Sequence, residues 1–294
     1  MSHKAGFVSI IGNPNAGKST LMNALVGERL SIITPKAQTT RHRIQGFLNE
    51  DDYQIVFSDT PGILDPAYKL QESMMEFVYE AMEDADIFIL VIDAREKLFH
   101  EEILERIKAI TKPVLVLINK IDQIKEKQVL PLIEFWKEKI PNGQILPISA
   151  IHNFNVDKVL NRIIELLPEH PAYYPKEDLT NKSMRFFVAE MIREKILLQF
   201  QKEVPYSTEV IIDEYKEEPN IIRIKAYIFA TRESQRQIII GHQGQAIKRL
   251  GTEARKAIED FVQNHVFLDL SVKVRKNWRD DDKALRSFGY TKDE

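Results

Sequence analysis

Phe7-Val8-Ser9-Ile10-Ile11-Gly12-Asn13-Pro14-Asn15-Ala16-Gly17-Lys18-Ser19-Thr20 is the stretch on which the fold turns. An apolar strand, Phe7 to Ile11, runs into a turn framed by two glycines, and a helix opens at Lys18. Gly12 to Ser19 fits the pattern G-x-x-x-x-G-K-[ST] in its proper context, strand before and helix after. The glycines let several backbone N–H groups converge on one point, and the helix N-terminus adds partial positive charge there. Such a turn cradles phosphates, with Lys18 reaching the outer phosphates and the Ser19 hydroxyl directed at Mg²⁺.

Outward from this turn, short apolar runs alternate with helical spacing as far as Leu167. Tyr53–Phe57, Ile87–Ile92, Val114–Ile118 and Ile145–Ile148 read as strands, and Leu70–Met82, Glu101–Ile110 and Val156–Leu167 as helices. Unbroken apolar strands interleaved with helices imply an α/β domain with a mainly parallel sheet covered on both faces. Three prolines within Pro168–Pro175 end that pattern and predict a stiff connection. The chain is thus divided into a first domain over 1–167, a linker over 168–180, a second domain over 181–280 and a charged tail over 281–294, expected to be mobile. In the second domain Arg185–Phe200 predicts an amphipathic helix and Thr208–Tyr215 and Ile221–Phe229 antiparallel strands. Ser234–Ile239 and Gln245–Asn264 read as helices and Val266–Val274 as a last strand, an α+β unit.

A chain of 294 residues, 44% hydrophobic and 29% charged, suffices for two cores. It has no cysteine, which excludes disulfides, thiolate metal sites and a cysteine nucleophile. The N-terminus does not read as a signal peptide, and no apolar run approaches the roughly 20 residues that span a bilayer. A cytoplasmic protein, monomeric, is the expectation. Residues 181–294 hold 21 basic and 18 acidic side chains in a chain of net charge −3, a hint of a polyanionic partner for the second domain.

The base is read from Asn119-Lys120-Ile121-Asp122, which follows an apolar strand at the end where ligands sit in open α/β sheets. The Asp122 carboxylate can accept from guanine N1–H and the 2-amino group, which adenine lacks. A site built to bond a particular group rejects a ligand without it. Asn119 reaches the base edge and helps hold the phosphate loop, while the Lys120 stem covers the ring. Asp59-Thr60-Pro61-Gly62 ends another strand, with Asp59 toward Mg²⁺ and the Gly62 N–H toward the γ-phosphate; Ile63 follows. Ser149-Ala150-Ile151 offers the Ala150 N–H to guanine O6. In this order the four motifs resemble the GTPase superfamily.

That resemblance implies a switch segment between Leu30 and Arg43, where a threonine of Gln38-Thr39-Thr40-Arg41 joins Mg²⁺ only when the γ-phosphate is present. Families with this T-T-R pattern use the second threonine, so Thr40 is expected beside Ser19 and Asp59. Lys18, Thr40 and Gly62 then carry the hydrolytic step. Many GTPases place a water-orienting glutamine after D-x-x-G, but here Ile63 cannot hydrogen-bond, and slow unaided turnover is expected. In related GTPases with P-N-A-G-K-S the matching asparagine helps bind a monovalent cation, so K⁺ at Asn15 is expected to speed turnover.

In the second domain Ile240 leads into Gly241-His242-Gln243-Gly244 between two helices. KH domains use a G-x-x-G loop so placed to clamp about four nucleotides of single-stranded RNA. The order helix, strand, strand, helix, G-x-x-G, helix, strand resembles the KH variant with its extra elements on the N-terminal side. Lys248, Arg249, Arg255 and Lys256, then Lys273, Arg275, Lys276 and Arg279, supply the basic groove. His242 and Gln243 stand where such loops often carry lysine.

Taken together, Gly12–Ser19, the T-T-R switch, D-T-P-G-I, N-K-I-D, S-A and one C-terminal KH unit resemble the Era family of GTPases from about Phe7 to Trp278. Membership implies GTP and GDP as ligands, binding of small-subunit (16S) ribosomal RNA near its 3′ end, and a role in 30S subunit assembly. Two alternatives are a GTPase of tRNA modification, whose extra module often carries the cysteine absent here, and a membrane-associated signalling GTPase. No lipidation motif supports the latter, though peripheral contact with the inner membrane through basic residues stays open.

Overall fold

The computed structural model describes residues 3–291, which form two compact units. One comprises the chain through Pro66 together with Met74–Asn181; the other, Ala67–Ser73 together with the chain from Lys182.

The first unit is built on β1 (Lys4–Gly12), β2 (Ile44–Asn49), β3 (Tyr53–Asp59), β4 (Ile87–Asp93), β5 (Val114–Asn119) and β6 (Gly143–Pro147), in the order β2-β3-β1-β4-β5-β6. Every pairing is parallel except β2 with β3. β4 and β5 are buried along their whole length, as strands covered on both faces require. The covering helices are α1 (Lys18–Val26), α2 (Lys69–Asp84) from Met74 onward, α3 (Glu101–Ala109), α4 (Val129–Lys139) and α5 (Val156–Leu166). Two elements escape the sequence reading. β2 is a hairpin partner of β3 with a glycine and a glutamine in it, and α4 carries Pro131 in its first turn, where a missing N–H costs nothing.

The proline-rich connection is fastened to this unit. Glu169 bridges to Lys4, the Tyr174 ring stacks on Phe47 at 4.2 Å, and Gln54 hydrogen-bonds Tyr173 and Tyr174. Thr180 then pairs with Gly46, and the Phe47 N–H donates to the Leu179 carbonyl at 2.8 Å. The outer edge of β2 is thereby covered, as exposed sheet edges generally must be.

The second unit contains α6 (Met184–Gln199), β7 (Thr208–Glu218), β8 (Ile221–Ala230), α7 (Glu233–Ile240), α8 (Gln245–Val262), β9 (Val266–Val274) and α9 (Asp282–Ser287). The sheet runs β7-β8-β9, with β7 antiparallel and β9 parallel to β8. Inward-facing Ile222, Ile224, Ala226 and Ile228 of β8 pack on Ile192 and Ile196 of α6 and Leu250, Ala254 and Ile258 of α8. Two expectations need correction. α6 does not simply turn a polar face to water: Glu190, Arg193 and Glu194 are buried, and Arg193 makes two hydrogen bonds to Glu190, at 2.6 and 2.7 Å. Nor is 281–294 a free charged tail over its described part. α9 docks Ala284 and Leu285 into the unit, Phe288 and Tyr290 just after it are buried too, and the Tyr290 hydroxyl donates to Glu209 Oε2 at 2.6 Å. Residues 292–294 of that predicted tail lie outside the described residues.

Candidate functional site

The loops at the carboxyl ends of β1, β3 and β5 converge on a cleft of about 270 Å³ lined by residues of the phosphate loop from Pro14 to Thr20 except Ala16, by Ile32–Pro35 and Gln38–Thr40, and by Gly62 and Lys120. Gly17 caps α1 with a left-handed φ of 101°, and a Cβ there would stand 2.2 Å from Asn119 Nδ2. The loop must therefore close tightly on Asn119. That side chain is a strut: Nδ2 donates to the Ala16 carbonyl at 2.8 Å, and Oδ1 accepts from the Ala150 N–H at 2.9 Å. The Ala150 amide, expected to face guanine O6, is thus engaged by Asn119 in this arrangement, because a buried N–H takes the acceptor at hand.

Lys18 is buried and its Nζ donates to the Gly12 and Asn13 carbonyls, both at 2.9 Å. Burial lowers its pKa to about 8, against the attraction of Asp59 and Glu96. Ser19 Oγ lies 2.7 Å from Asp59 Oδ2 and 2.9 Å from Thr40 Oγ1. Of the two switch threonines Thr40 faces this cluster, while Thr39 turns back to Thr34 and the Lys36 carbonyl. Burial pushes the Asp59 carboxyl above the usual carboxylate range, opposed by the Ser19 hydrogen bond and Lys18. Its Oδ1 is buried with no hydrogen-bond partner. Two hydroxyls and a carboxylate with an unspent oxygen form a hard-oxygen set that suits Mg²⁺ completed by phosphate and water. Thr60 anchors to the Ile10 carbonyl at 2.8 Å, and the Ile63 N–H reaches the Gly12 carbonyl at 3.2 Å. Gly62 sits so close to Pro14 that a Cβ would be 2.7 Å from Pro14 Cα. Ile63 is buried in the core, so the position after D-x-x-G serves packing.

At the base end, Ser149 Oγ donates to Asp122 Oδ1 and fixes the carboxylate. Ile151 and Phe154 are exposed alongside. Asn15 is exposed, left-handed, and donates to the Pro35 carbonyl at 3.1 Å, while Asn13 turns to the Leu98 carbonyl at 3.0 Å. Asp93 and Arg95 are missed by motif reading. Asp93, 2% exposed at the end of β4, binds Lys120 Nζ at 2.9 Å and Arg95 Nε at 2.9 Å. A carboxylate closing an otherwise apolar strand at the ligand end was the available signal.

In the second unit Gly241 has φ 74° and a Cβ there would lie 2.6 Å from Ala246 Cβ; Gly244, φ 76°, faces open space. Gln243 between them is left-handed too. This tight loop, with Ile240 at its entry, delivers the chain to the N-terminus of α8, where His242, Gln243, Lys248 and Arg249 are exposed. Lys256, Lys273 and Lys276 are exposed as well, and Lys273 Nζ lies 3.1 Å from the Tyr227 ring centroid. Two expected groove residues are otherwise committed. Arg255 pairs with Glu259 at 2.6 Å, which also accepts from the Val266 N–H. Arg275 donates to Ser287 Oγ at 3.0 Å and lies over Phe288, holding the C-terminal segment.

No helix among the described residues is long and apolar enough to cross a membrane. Residues 7–120 match the family model described as 50S ribosome-binding GTPase, and 203–279 the KH domain model. GTPase Era of Syntrophus aciditrophicus is 44% identical over 98% of this chain and 95% of its own. A chloroplastic GTPase ERA-like protein of Oryza sativa is 44% identical over 98% of this chain and 70% of its own. Among solved structures, a variant of Aquifex aeolicus Era bound to GDP·AlF₄⁻ superposes with a TM-score of 0.94 at 42% identity, covering 98% of this chain and all of the other. Era in complex with MgGDPNP and nucleotides 1506–1542 of 16S ribosomal RNA gives 0.95 at 42% identity, covering 99% and 100%. With a relative 44% identical over 95% of its own length and both units matched, the chain belongs to the Era family of GTPases.

Proposed function

We propose that this GTPase couples its nucleotide cycle to single-stranded ribosomal RNA near the 3′ end of 16S RNA, as a cytoplasmic, monomeric assembly factor of the 30S subunit. One observation carries the RNA reading. The Gly241–Gly244 loop is sterically confined to glycine at Gly241 and opens α8 beside exposed Lys248 and Arg249. Backbone amides at that helix start suit a phosphate, and the basic pair supplies the salt-dependent part of the affinity. The relative solved with nucleotides 1506–1542 of 16S RNA supports the choice of RNA.

In the first unit Asp122 selects guanine, the Lys120 stem covers it, and the Gly12–Ser19 amides with Lys18 hold the phosphates. Ser19, Asp59 and Thr40 would hold Mg²⁺, which when bound neutralises charge between the β- and γ-phosphates. Thr40 and the Gly62 N–H would gain the outer phosphate as a shared partner when GTP is bound, and losing it removes the contact that holds their segments to the ligand. Since Ile63 is packed in the core, the attacking water is oriented by other groups. K⁺ held at Asn15 next to the Pro35 carbonyl is the reading for faster turnover. Unequal rates in KCl and NaCl that become equal on Asn15→Ala support it, and equal native rates refute it.

Fluorescence anisotropy tests the whole. An RNA ending in the small-subunit 3′ sequence, a scrambled RNA and anionic vesicles are titrated at matched salt with GDP or a GTP analogue bound. Tighter binding of the specific RNA that depends on the nucleotide is expected. No preference over the scrambled strand overturns the RNA reading, and preferential vesicle binding favours the membrane alternative.

A further inference from the structure

Lys120 stands in left-handed backbone at φ 63°, a region where a non-glycine residue needs support from its surroundings. The support is visible at the tip of its side chain. Nζ donates to Asp93 Oδ2 at 2.9 Å and to the Asn15 carbonyl of the phosphate loop. The stem in between runs past Gly17, with Lys120 Cε 4.0 Å from where a Gly17 Cβ would be. Asp93 is itself fixed: it closes β4, is almost fully buried, and accepts from the Arg95 backbone N–H and side chain. Burial pushes the Asp93 carboxyl up, but hydrogen bonds from Arg95 and Lys120 outweigh it and hold the group well below the usual carboxylate range. It is therefore an anion at any working pH, facing the Lys120 ammonium on one side and Arg95 on the other.

We propose that Asp93 is a positioning residue for guanine-nucleotide binding: its carboxylate pins Lys120 Nζ onto the Asn15 carbonyl, so the lysine stem is laid across the phosphate loop in the place where it covers the base. Asp93 touches no nucleotide itself. Without its charge the Lys120 ammonium loses its counter-ion and swings to solvent, and both the base cover and the Lys120–Asn15 tie to the phosphate loop are lost. Arg95 is a lesser participant, since its side chain is half exposed and makes no tie to the loop. The inference rests on reading Asn119–Asp122 as the guanine site.

The test is the rate of fluorescent GDP release by stopped flow, in the full chain. Asp93→Asn keeps the shape and removes the charge. Release is expected to accelerate about ten- to hundredfold, the change that losing a hydrogen bond to a charged group brings. The diagnostic is the double-mutant cycle. In a Lys120→Met background, where release is already faster, Asp93→Asn should alter release by less than about twofold, whereas a residue that merely stabilises the strand would accelerate release equally in both backgrounds. Arg95→Gln should change release by less than about threefold, because the arginine is half exposed and makes no tie to the loop. Release is read only from protein holding nucleotide, so partial misfolding lowers amplitude and not rate. Equal acceleration in both backgrounds, no acceleration, or failure of every Asp93 variant to load nucleotide overturns the proposal. Should the native chain not bind fluorescent GDP, the guanine-site reading itself fails, which is a separate result.

Discussion

Asn119→Ala tests how the two nucleotide-binding loops are joined. The side chain is 2% exposed and spends both polar atoms on backbone, one on the Ala16 carbonyl and one on the Ala150 N–H. Alanine removes both partners at once. Each buried group left unsatisfied costs about 1–3 kcal/mol. Water entering the cleft relieves part of this, so a total of about 3 kcal/mol is expected. At roughly 2–4 °C per kcal/mol for a unit of this size, the nucleotide-free first unit should melt about 6–12 °C lower. Differential scanning calorimetry without nucleotide reads that number directly. A second arm with saturating GDP should show a smaller rescue for the variant than for the native protein, because the loops no longer reach the ligand together. If the nucleotide-free melting point stays within about 1 °C of native while GDP affinity falls, Asn119 acts on the base alone and the strut argument is wrong.

Gly62→Ala would place a Cβ 2.7 Å from Pro14 Cα, pushing the Asp59–Gly62 loop off the phosphate loop. Single-turnover GTP hydrolysis should fall about a hundredfold with GDP affinity little changed, since a displacement near 1 Å is enough for such a loss. Gly241→Ala, clashing with Ala246 at φ 74°, should abolish RNA binding in anisotropy, while Gly244→Ala, with open space, should cost only about 1 kcal/mol of stability. Tyr290→Phe leaves a buried Glu209 carboxylate short of a donor, and chemical denaturation of the second unit should show a loss of about 1.5–3 kcal/mol. The Val266 N–H and Arg255 hold the Glu259 carboxyl below its ordinary range. Its contribution is then present above the unfolded pKa and lost as pH falls through the folded one, so Glu259→Gln should destabilise the second unit near neutrality and converge with the native protein in acid.

Why some of this was legible in the sequence and some was not follows from the range of the forces involved. The phosphate loop and Asn119–Asp122 are contiguous because one small ligand must be met by neighbouring backbone groups, and chemistry of that kind leaves short, dense patterns. β2 leaves none. Ile44–Asn49 owes its strand to β3 on one side and to Leu179 and Thr180, more than 130 residues on, along the other. The described end of the chain misleads for the same reason. Asp280-Asp281-Asp282-Lys283 reads as solvated charge, yet the four side chains docked after it are held by partners such as Glu209, distant in sequence. The basic groove illustrates the converse error. Counting cations finds Arg255 and Arg275, but a carboxylate four residues away and a ring thirteen residues away had already engaged them. Asp93 lies between these cases. It is not among the residues lining the cleft, so no ligand chemistry dictates a motif around it; it meets Lys120, which lines that cleft. A pattern derived from what touches a ligand ends at that first layer, and the residues that aim the first layer must be sought instead as charges whose burial has no other explanation. β4 contains one such charge, held by Arg95 and by Lys120, and only Lys120 carries it on to the phosphate loop.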